Sequence, residues 1–192
     1  MHTVKIKQFT YLLVMLLLLC SSPSSLANTI SNKYDREFKR ATSLYLPTWD
    51  YRWLKAQGYQ ESLLNPYAVS YVGASGIMQV MPATWNDITN NLGWKMANIF
   101  DPSLSIHAGA YYDSQLWKQW RSKRTEDSRR NLTFASYNAG LANLLKSQKA
   151  CQMKTEWEDI SPCLIQITGK HSKETLTYVE RINRWYMQMY LS

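Results

Sequence analysis

The chain is poor in the residues that mark specialised architectures. Its 192 residues include 3 Cys, 6 Pro and 7 Gly, which excludes collagen, low-complexity disorder and a cysteine-dense miniprotein. The 3 His offer no metal site. His2 lies at the very start, His107 stands on an expected helix without partners, and His171 is in a polar loop, so no metal or cofactor is expected. Cys151 and Cys163 lack the two-residue spacing of a redox or zinc motif. Acids are also scarce. Against 22 Lys and Arg stand 14 Asp and Glu, a net charge of +8, and charge alone admits nucleic acid, an anionic membrane surface or an acidic polymer as partner.

Hydrophobic residues make up 45% and charged residues 19% of the chain, which is a globular balance. The length suits one domain with a proper core. The first stretch is set apart from it. Lys5 and Lys7 precede an apolar run of twelve residues, Phe9 to Cys20, followed by Ser25-Leu26-Ala27. That run is too short for a bilayer but fits a secretory signal cut after Ala27. Residues 1–27 are therefore expected to be a signal peptide and residues 28–192 the folded domain, carrying a net +6. The alternative is an uncleaved short membrane anchor. A lipoprotein reading through Cys20 is weaker, because Leu19 stands where processing prefers a small residue. Cys151 and Cys163 then form an even pair in an oxidising compartment, and a bridge between them could contribute up to about 3 kcal/mol. Two separate thiols remain the other reading.

The periodicity is helical throughout. Phe38, Ala41, Leu44 and Tyr45 recur every three or four positions, and Trp49, Trp53, Leu54 and Gln57 continue such a face towards Glu61. Thr84–Leu92 reads as a short helix opened near Pro82. Ser103–Trp120 is the longest helix, with Leu104, Ala108, Tyr111, Tyr112, Leu116 and Trp120 as its buried stripe. Arg121–Arg130 reads as a solvated connector or helix end. Leu132–Tyr137 and Leu141–Leu145 read as two short helices split by Gly140, residues 151–172 as irregular, and Glu174–Tyr190 as a terminal helix. Strand signals are confined to Tyr67–Val72 and Leu164–Thr168. The expected fold class is all-α, with at most one very small β-hairpin, in a single domain without a transmembrane helix.

One segment carries chemistry. A helix delivers Glu61 near its C-terminal end, and Pro66 prevents continuation beyond Asn65. A loop with Gly73 and Gly76 can turn tightly and approach a ligand. Ile77, Met78, Val80 and Met81 follow, with Gln79 among them. A carboxyl beside such neighbours is poorly solvated, which raises its pKa and keeps it protonated near neutrality, as a general acid for a glycosidic oxygen requires. The bland alternative is a surface glutamate followed by an ordinary turn.

The ordered residues Glu61, Ser62, Pro66, Ala68, Ser70, Gly73, Ala74, Gly76, Ile77, Met78, Gln79, Met81, Pro82 and Thr84 resemble, in register and without a gap, the signature of the soluble lytic transglycosylase (SLT) domain family, related in fold to goose-type lysozymes. Asp101-Pro102 with Ile106 and Gly109–Tyr112, then Ala135–Gly140, then Glu174–Val179, resemble its further blocks. The resemblance spans about Tyr34 to Arg184 and implies a lysozyme-like domain filling nearly all of residues 28–192. It implies Glu61 as the single catalytic acid/base, and Ser70, Gln79 and Met81 as residues lining the sugar subsites. Tyr137 and Asn138 would face them across the groove, and Tyr178 would position Glu61 through its hydroxyl. Ordinary core packing is the alternative for Tyr137 and Tyr178. Three features depart from the pattern. Ser105 stands where the family usually has Asn, Gly58 should weaken its helix by about 1 kcal/mol relative to Ala, and the segment holding Cys151 and Cys163 is additional.

The implied reaction is lytic transglycosylation of peptidoglycan in the periplasm or cell envelope. Between Glu61 and Arg130 the other acids are Asp87, Asp101, Asp113, Glu126 and Asp127. Asp87 and Asp113 read as exposed and Asp101 as a turn or helix start, so a single-carboxylate site is expected where glycosidases usually employ two. The rivals are a hydrolytic muramidase with the same residues and a non-catalytic wall-binding assembly protein. Residues 114–130 carry six Lys or Arg and two acids, but no nucleic-acid motif accompanies them, and such a run is usually a solvated face. Size and export suggest service to an envelope-spanning secretion or conjugation machine.

Overall fold

The computed structural model describes residues 30–192, so the expected signal peptide and Cys20 lie outside the described residues. The described chain is all-α, as expected. Its helices are α1 (Asp35–Tyr45), α2 (Tyr51–Ser62), α3 (Pro82–Leu92), α4 (Pro102–Gln119), α5 (Glu126–Ala139), α6 (Leu141–Ala150), α7 (Trp157–Ile160), α8 (Leu164–Thr168) and α9 (Ser172–Leu191). Two 3-10 turns, Ser161–Cys163 and Gly169–His171, flank α8. No described helix is long and apolar enough to cross a membrane.

The helix starts are written locally. Asp50 accepts from the Arg52 backbone N–H at 2.9 Å to open α2, and Asp101 accepts from Leu104 at 2.9 Å ahead of Pro102 to open α4. Thr125 caps α5 through Ser128. That cap places residues 126–130 inside a helix, correcting the expected connector, and α5 and α6 are both longer than the apolar stripe alone suggested. Gly140, at φ +85°, separates them.

Two apolar clusters meet along α2. One gathers Trp49, Trp53, Trp120, Phe134, Leu144 and Ile182, and the other Phe38, Leu54, Ile77, Met78, Trp85 and Ile106. Helix α2 feeds both, and Trp53 to Gly58 are all buried. Helix α4 is covered on a wider arc than the expected stripe: Ser105, Ile106, Gly109, Ala110, Asp113 and Ser114 are buried, while Leu104, Tyr111 and Tyr112 are only partly so. Packing against α1, α3 and α5 accounts for this. Asp113 is thus not an exposed helix residue, and the expectation is corrected.

The strand signals resolve differently. Leu164–Thr168 is helical, because an apolar run of that length cannot separate the two periods. The segment around Tyr67–Val72 contributes the isolated bridge Val69–Ser75, which adjoins Ser75–Val80. Residues 151–156 are irregular as expected, but from Trp157 the chain runs in short helical pieces into α9. Cys151 and Cys163 are disulfide-bonded with Cα atoms 5.8 Å apart, tying the end of α6 to the 3-10 turn before α8.

Glycines set the closest approach. A Cβ on Gly109 would lie 2.7–2.9 Å from three side-chain atoms of Met78, and one on Gly58 would lie 3.0 Å from the Met78 sulfur and 3.1 Å from Phe38. Gly58 therefore sets against its poor helix propensity a closer approach of Met78 and Phe38 than a Cβ would ordinarily allow. Gly109→Ala gains about 1 kcal/mol of propensity against an overpacking cost of about 1–3 kcal/mol. We expect thermal unfolding to show a Tm lowered by up to about 8 °C; a Tm above the wild type would sink this account.

Candidate active site

Glu61 is the penultimate residue of α2. Beyond Ser62 the chain turns through two left-handed residues, Leu63 at φ +55° and Leu64 at φ +62°, and doubles back over the helix end. The Ser62 hydroxyl donates to the Ile77 carbonyl at 2.8 Å, which pins the returning strand of the loop to the helix end. Inside the loop, the Ser70 N–H donates to the Ala74 carbonyl, while the Ser70 hydroxyl accepts from the Ala74 N–H, both at 2.9 Å. Gly76, at φ +77°, sits where a Cβ would lie 2.5 Å from the Ile99 carbonyl oxygen and 2.7 Å from Ser105 Oγ. Only glycine fits there.

The peptide of Met78 is held from both sides. Its N–H donates to Ser105 Oγ at 3.2 Å, and its carbonyl accepts from the Tyr137 hydroxyl at 2.8 Å. Ser105, the departure from the family pattern, thus makes a loop-anchoring bond of its own. Gln79, at φ +46°, donates Nε2 to the carbonyls of Ala68 and Gly76 at 3.0 and 2.9 Å.

At the end of α2 lies a cleft of about 420 Å³ whose wall includes Glu61, Asn138, Tyr178, Lys173, Glu174 and Arg181. Glu61 is half-buried. Burial pushes its carboxyl up from an ordinary 4.5 to about 8, opposed by the hydroxyl of Tyr178, which donates to Glu61 Oε1. Burial pushes the phenols of Tyr137 and Tyr178 well above their usual range, with the nearby Glu61 adding to it. Both therefore stay hydroxyl donors. Asn138 is exposed, and its Oδ1 accepts from Thr175 at 2.8 Å. A neighbouring cavity of about 400 Å³ shares Asn138 and Glu174 and is completed by Ile167, Thr168 and His171, so the disulfide-tied segment shapes one end of the groove.

Of the expected site residues, the cleft wall joins Glu61, Asn138 and Tyr178. Tyr137 lies behind it with its hydroxyl committed to the loop. Ser70 and Gln79 are half-buried in the loop, and Met81, 42% exposed, precedes α3; none of the three belongs to that wall. Sequence reasoning missed Lys173, Thr177 and Arg181, whose spacing along α9 puts them on one face. It also missed Glu174, lying beyond the stretch in which a second acid was sought. A larger cavity of about 570 Å³ lies elsewhere, bordered by Asp35 and Lys55, whose charges already pair with each other.

With this geometry in hand, the comparisons with known proteins are direct. The family model of the transglycosylase SLT domain matches residues 47–160, more than half of the chain, and the chain belongs to that family. Among curated relatives, a membrane-bound lytic murein transglycosylase F of Alteromonas mediterranea is 29% identical over 165 residues, covering 78% of this chain and 34% of the relative. One from Serratia proteamaculans is 28% identical over 167 residues, covering 79% and 33%. Among solved structures, the 70 kDa soluble lytic transglycosylase of Escherichia coli superposes with a TM-score of 0.67 at 22% identity, covering 83% of this chain and 25% of that one. A lytic transglycosylase Slt of Pseudomonas aeruginosa gives 0.66 at 24% identity, covering 82% and 24%. The chain thus spans about a third of the length of these curated relatives and a quarter of the solved chains.

Two measurements follow from the raised pKa of Glu61. Its folded value lies above its unfolded one, so the folded state holds the proton longer, and stability is lost as pH rises from about 4.5 to about 8. Wild-type Tm should fall across that window, and the Glu61→Gln variant should lack this component. Tyr178→Phe removes a bond that favours the anion. We therefore expect the alkaline limb of any Glu61-dependent activity to move up by about half a unit or more; a limb that moved down would contradict the assignment.

Proposed function

We propose that the chain is a peptidoglycan lytic transglycosylase with Glu61 as its acid/base. The observation that carries this is a carboxyl protonated at neutral pH by burial, yet set in the wall of an open cleft and bonded by Tyr178. Family membership and the murein transglycosylases among its relatives support the substrate. In this reading Glu61 protonates the oxygen between MurNAc and GlcNAc, and the C1–O bond breaks. The N-acetyl group stabilises the cationic sugar. The Glu61 carboxylate, steadied by Tyr178, then takes the proton of the C6 hydroxyl as O6 bonds to C1. The product is 1,6-anhydro-MurNAc, and no water is consumed.

Asn138 is assigned to sugar contact in the cleft, and Ser70, Gln79 and Met81 to further subsites along the loop. Tyr137, its hydroxyl engaged by Met78, acts by holding the loop. An exported, periplasmic setting accords with the disulfide and with the signal-like start of the sequence. The anionic wall suits the basic excess. Service to an envelope-spanning secretion or conjugation machine rests on export and small size alone; an unimpaired machine in a deletion strain would count against it.

A hydrolytic reading has one observation in its favour. Glu174 is an exposed carboxylate in the same cleft wall and is placed to be considered as a base for water. Product analysis separates the two. Digested peptidoglycan should yield anhydro-MurNAc ends by mass spectrometry, Glu61→Gln should lower activity by at least about a thousandfold, and Glu174→Gln should leave the anhydro product. Reducing MurNAc ends that vanish with Glu174→Gln would instead establish hydrolysis.

A further inference from the structure

Helix α4 carries a carboxyl that this reaction does not use. Asp113 has no exposed surface, and neither does Gln57 of α2, which stands one turn before Glu61. Gln57 Nε2 donates to Asp113 Oδ1 at 3.4 Å. The two remaining polar atoms of the pair, Gln57 Oε1 and Asp113 Oδ2, are both buried and both without a hydrogen-bond partner. With Asp113 ionised these are two orphaned acceptors, each desolvated without a bond to offset it.

Among the described residues no cation contributes to the shift of Asp113. The groups whose charges bear on Asp113 and its neighbours are Glu61 from α2, Tyr112 from α4 itself, Tyr137 from α5 and Tyr178 from α9. Lys55, also on α2 and buried, is paired with Asp35 and with Asn32. A carboxylate here would face a carboxyl and three phenols. One proton changes the whole arrangement, because it turns one orphan into a donor for the other.

We propose that Asp113 is a carboxylic acid in the working protein, closing with Gln57 a two-bond acid–amide pair that fastens the Glu61 end of α2 to α4. Asp113 Oδ2–H donates to Gln57 Oε1 while Gln57 Nε2 donates to Asp113 Oδ1, and all four polar atoms are satisfied. Burial, reinforced by the nearby Glu61, pushes the Asp113 carboxyl well above the usual carboxylate range, against the bond from Gln57. Asp113 and Gln57 are thus positioning residues, a role that rests on Glu61 being the acid. A neutral Asp113 adds no negative potential at Glu61, whose own shift has burial as its cause, opposed by Tyr178.

Two experiments decide this. Infrared spectroscopy of the intact Glu61→Gln protein at pH 7 should retain one protonated-carboxyl band, since Glu61 is gone and Asp113 keeps its proton; absence of the band overturns the proposal. This readout is independent of catalysis: a Glu61→Gln variant that stayed active would undo the acid assignment and leave the band untouched. Asn at 113 can make both bonds of the pair, so Asp113→Asn should stay within about tenfold of wild-type kcat/KM with its alkaline limb unmoved. A larger loss at unchanged Tm, or a limb displaced to lower pH, shows an ionised Asp113 and overturns it. Asp113→Leu should lower Tm by stranding Gln57, and the added Gln57→Leu should recover part of that loss; a double variant no more stable than the single one overturns the pairing.

Discussion

The seating of Met78 between two helices is the constraint on which the rest of the site depends. Its side chain fills the space left by Gly58 on α2 and Gly109 on α4, and its peptide is clamped by Ser105 and Tyr137. Three helices therefore grip one residue of a loop that has no regular strand, only isolated bridges and side-chain bonds such as those of Gln79. Close packing of this kind is rigid, since volume changes of one methylene are felt throughout a dense interior. The loop is thereby anchored to all three helices that carry Gly58, Gly109 and Tyr137. Ser62, one residue past Glu61, donates to the Ile77 carbonyl and so transmits the same restraint to the helix end.

The fold was legible in the sequence wherever the signal was long. Helices α1, α4 and α9 repeat their apolar positions over three or more turns, and α2 and α4 begin at Asp caps that the sequence displays. Short segments failed for a physical reason. Leu164–Thr168 has too few residues to distinguish a period of 2 from one of 3.6, and only its Leu164 is buried. The start of α5 was hidden because residues 126–130 are held by a cap and by charged side chains, with Arg129 folding its guanidinium over Trp117 at 4.1 Å and Arg130 over Trp53 at 4.5 Å.

The candidate site was legible in part. Ordered glycines, prolines and the lone Glu61 mark the loop, because each answers a backbone demand that few residues can meet. Gly76 is the plainest, being both left-handed and within 2.5 Å of a carbonyl oxygen at its missing Cβ. Asp113 was misread because charge was given more weight than phase. It follows Ile106 by seven residues and Ala110 by three, in step with the buried face of α4. A carboxyl at a core position of a helix signals a partner, and Gln57 was in view on the neighbouring helical face. Lys173, Thr177 and Arg181 escaped for another reason: polar side chains one turn apart on an amphipathic helix carry no motif that separates a cleft wall from open surface.

In the proposed reaction, a sole acid/base must satisfy opposed demands. It has to hold a proton when the substrate arrives, and it must then survive as an anion long enough to collect another. Burial alone would favour the first state so strongly that proton donation became costly. The hydroxyl of Tyr178 supplies the counterweight, because a donor pointed at a carboxylate stabilises the charged form. Burial and this single bond together leave Glu61 at about 8, close to neutrality, where a group can give and take protons with comparable ease. A second ionised carboxyl beneath the helix would upset that balance by driving Glu61 higher. With the proton kept on Asp113 as proposed, the tuning is confined to two groups, the Glu61 carboxyl and the Tyr178 phenol.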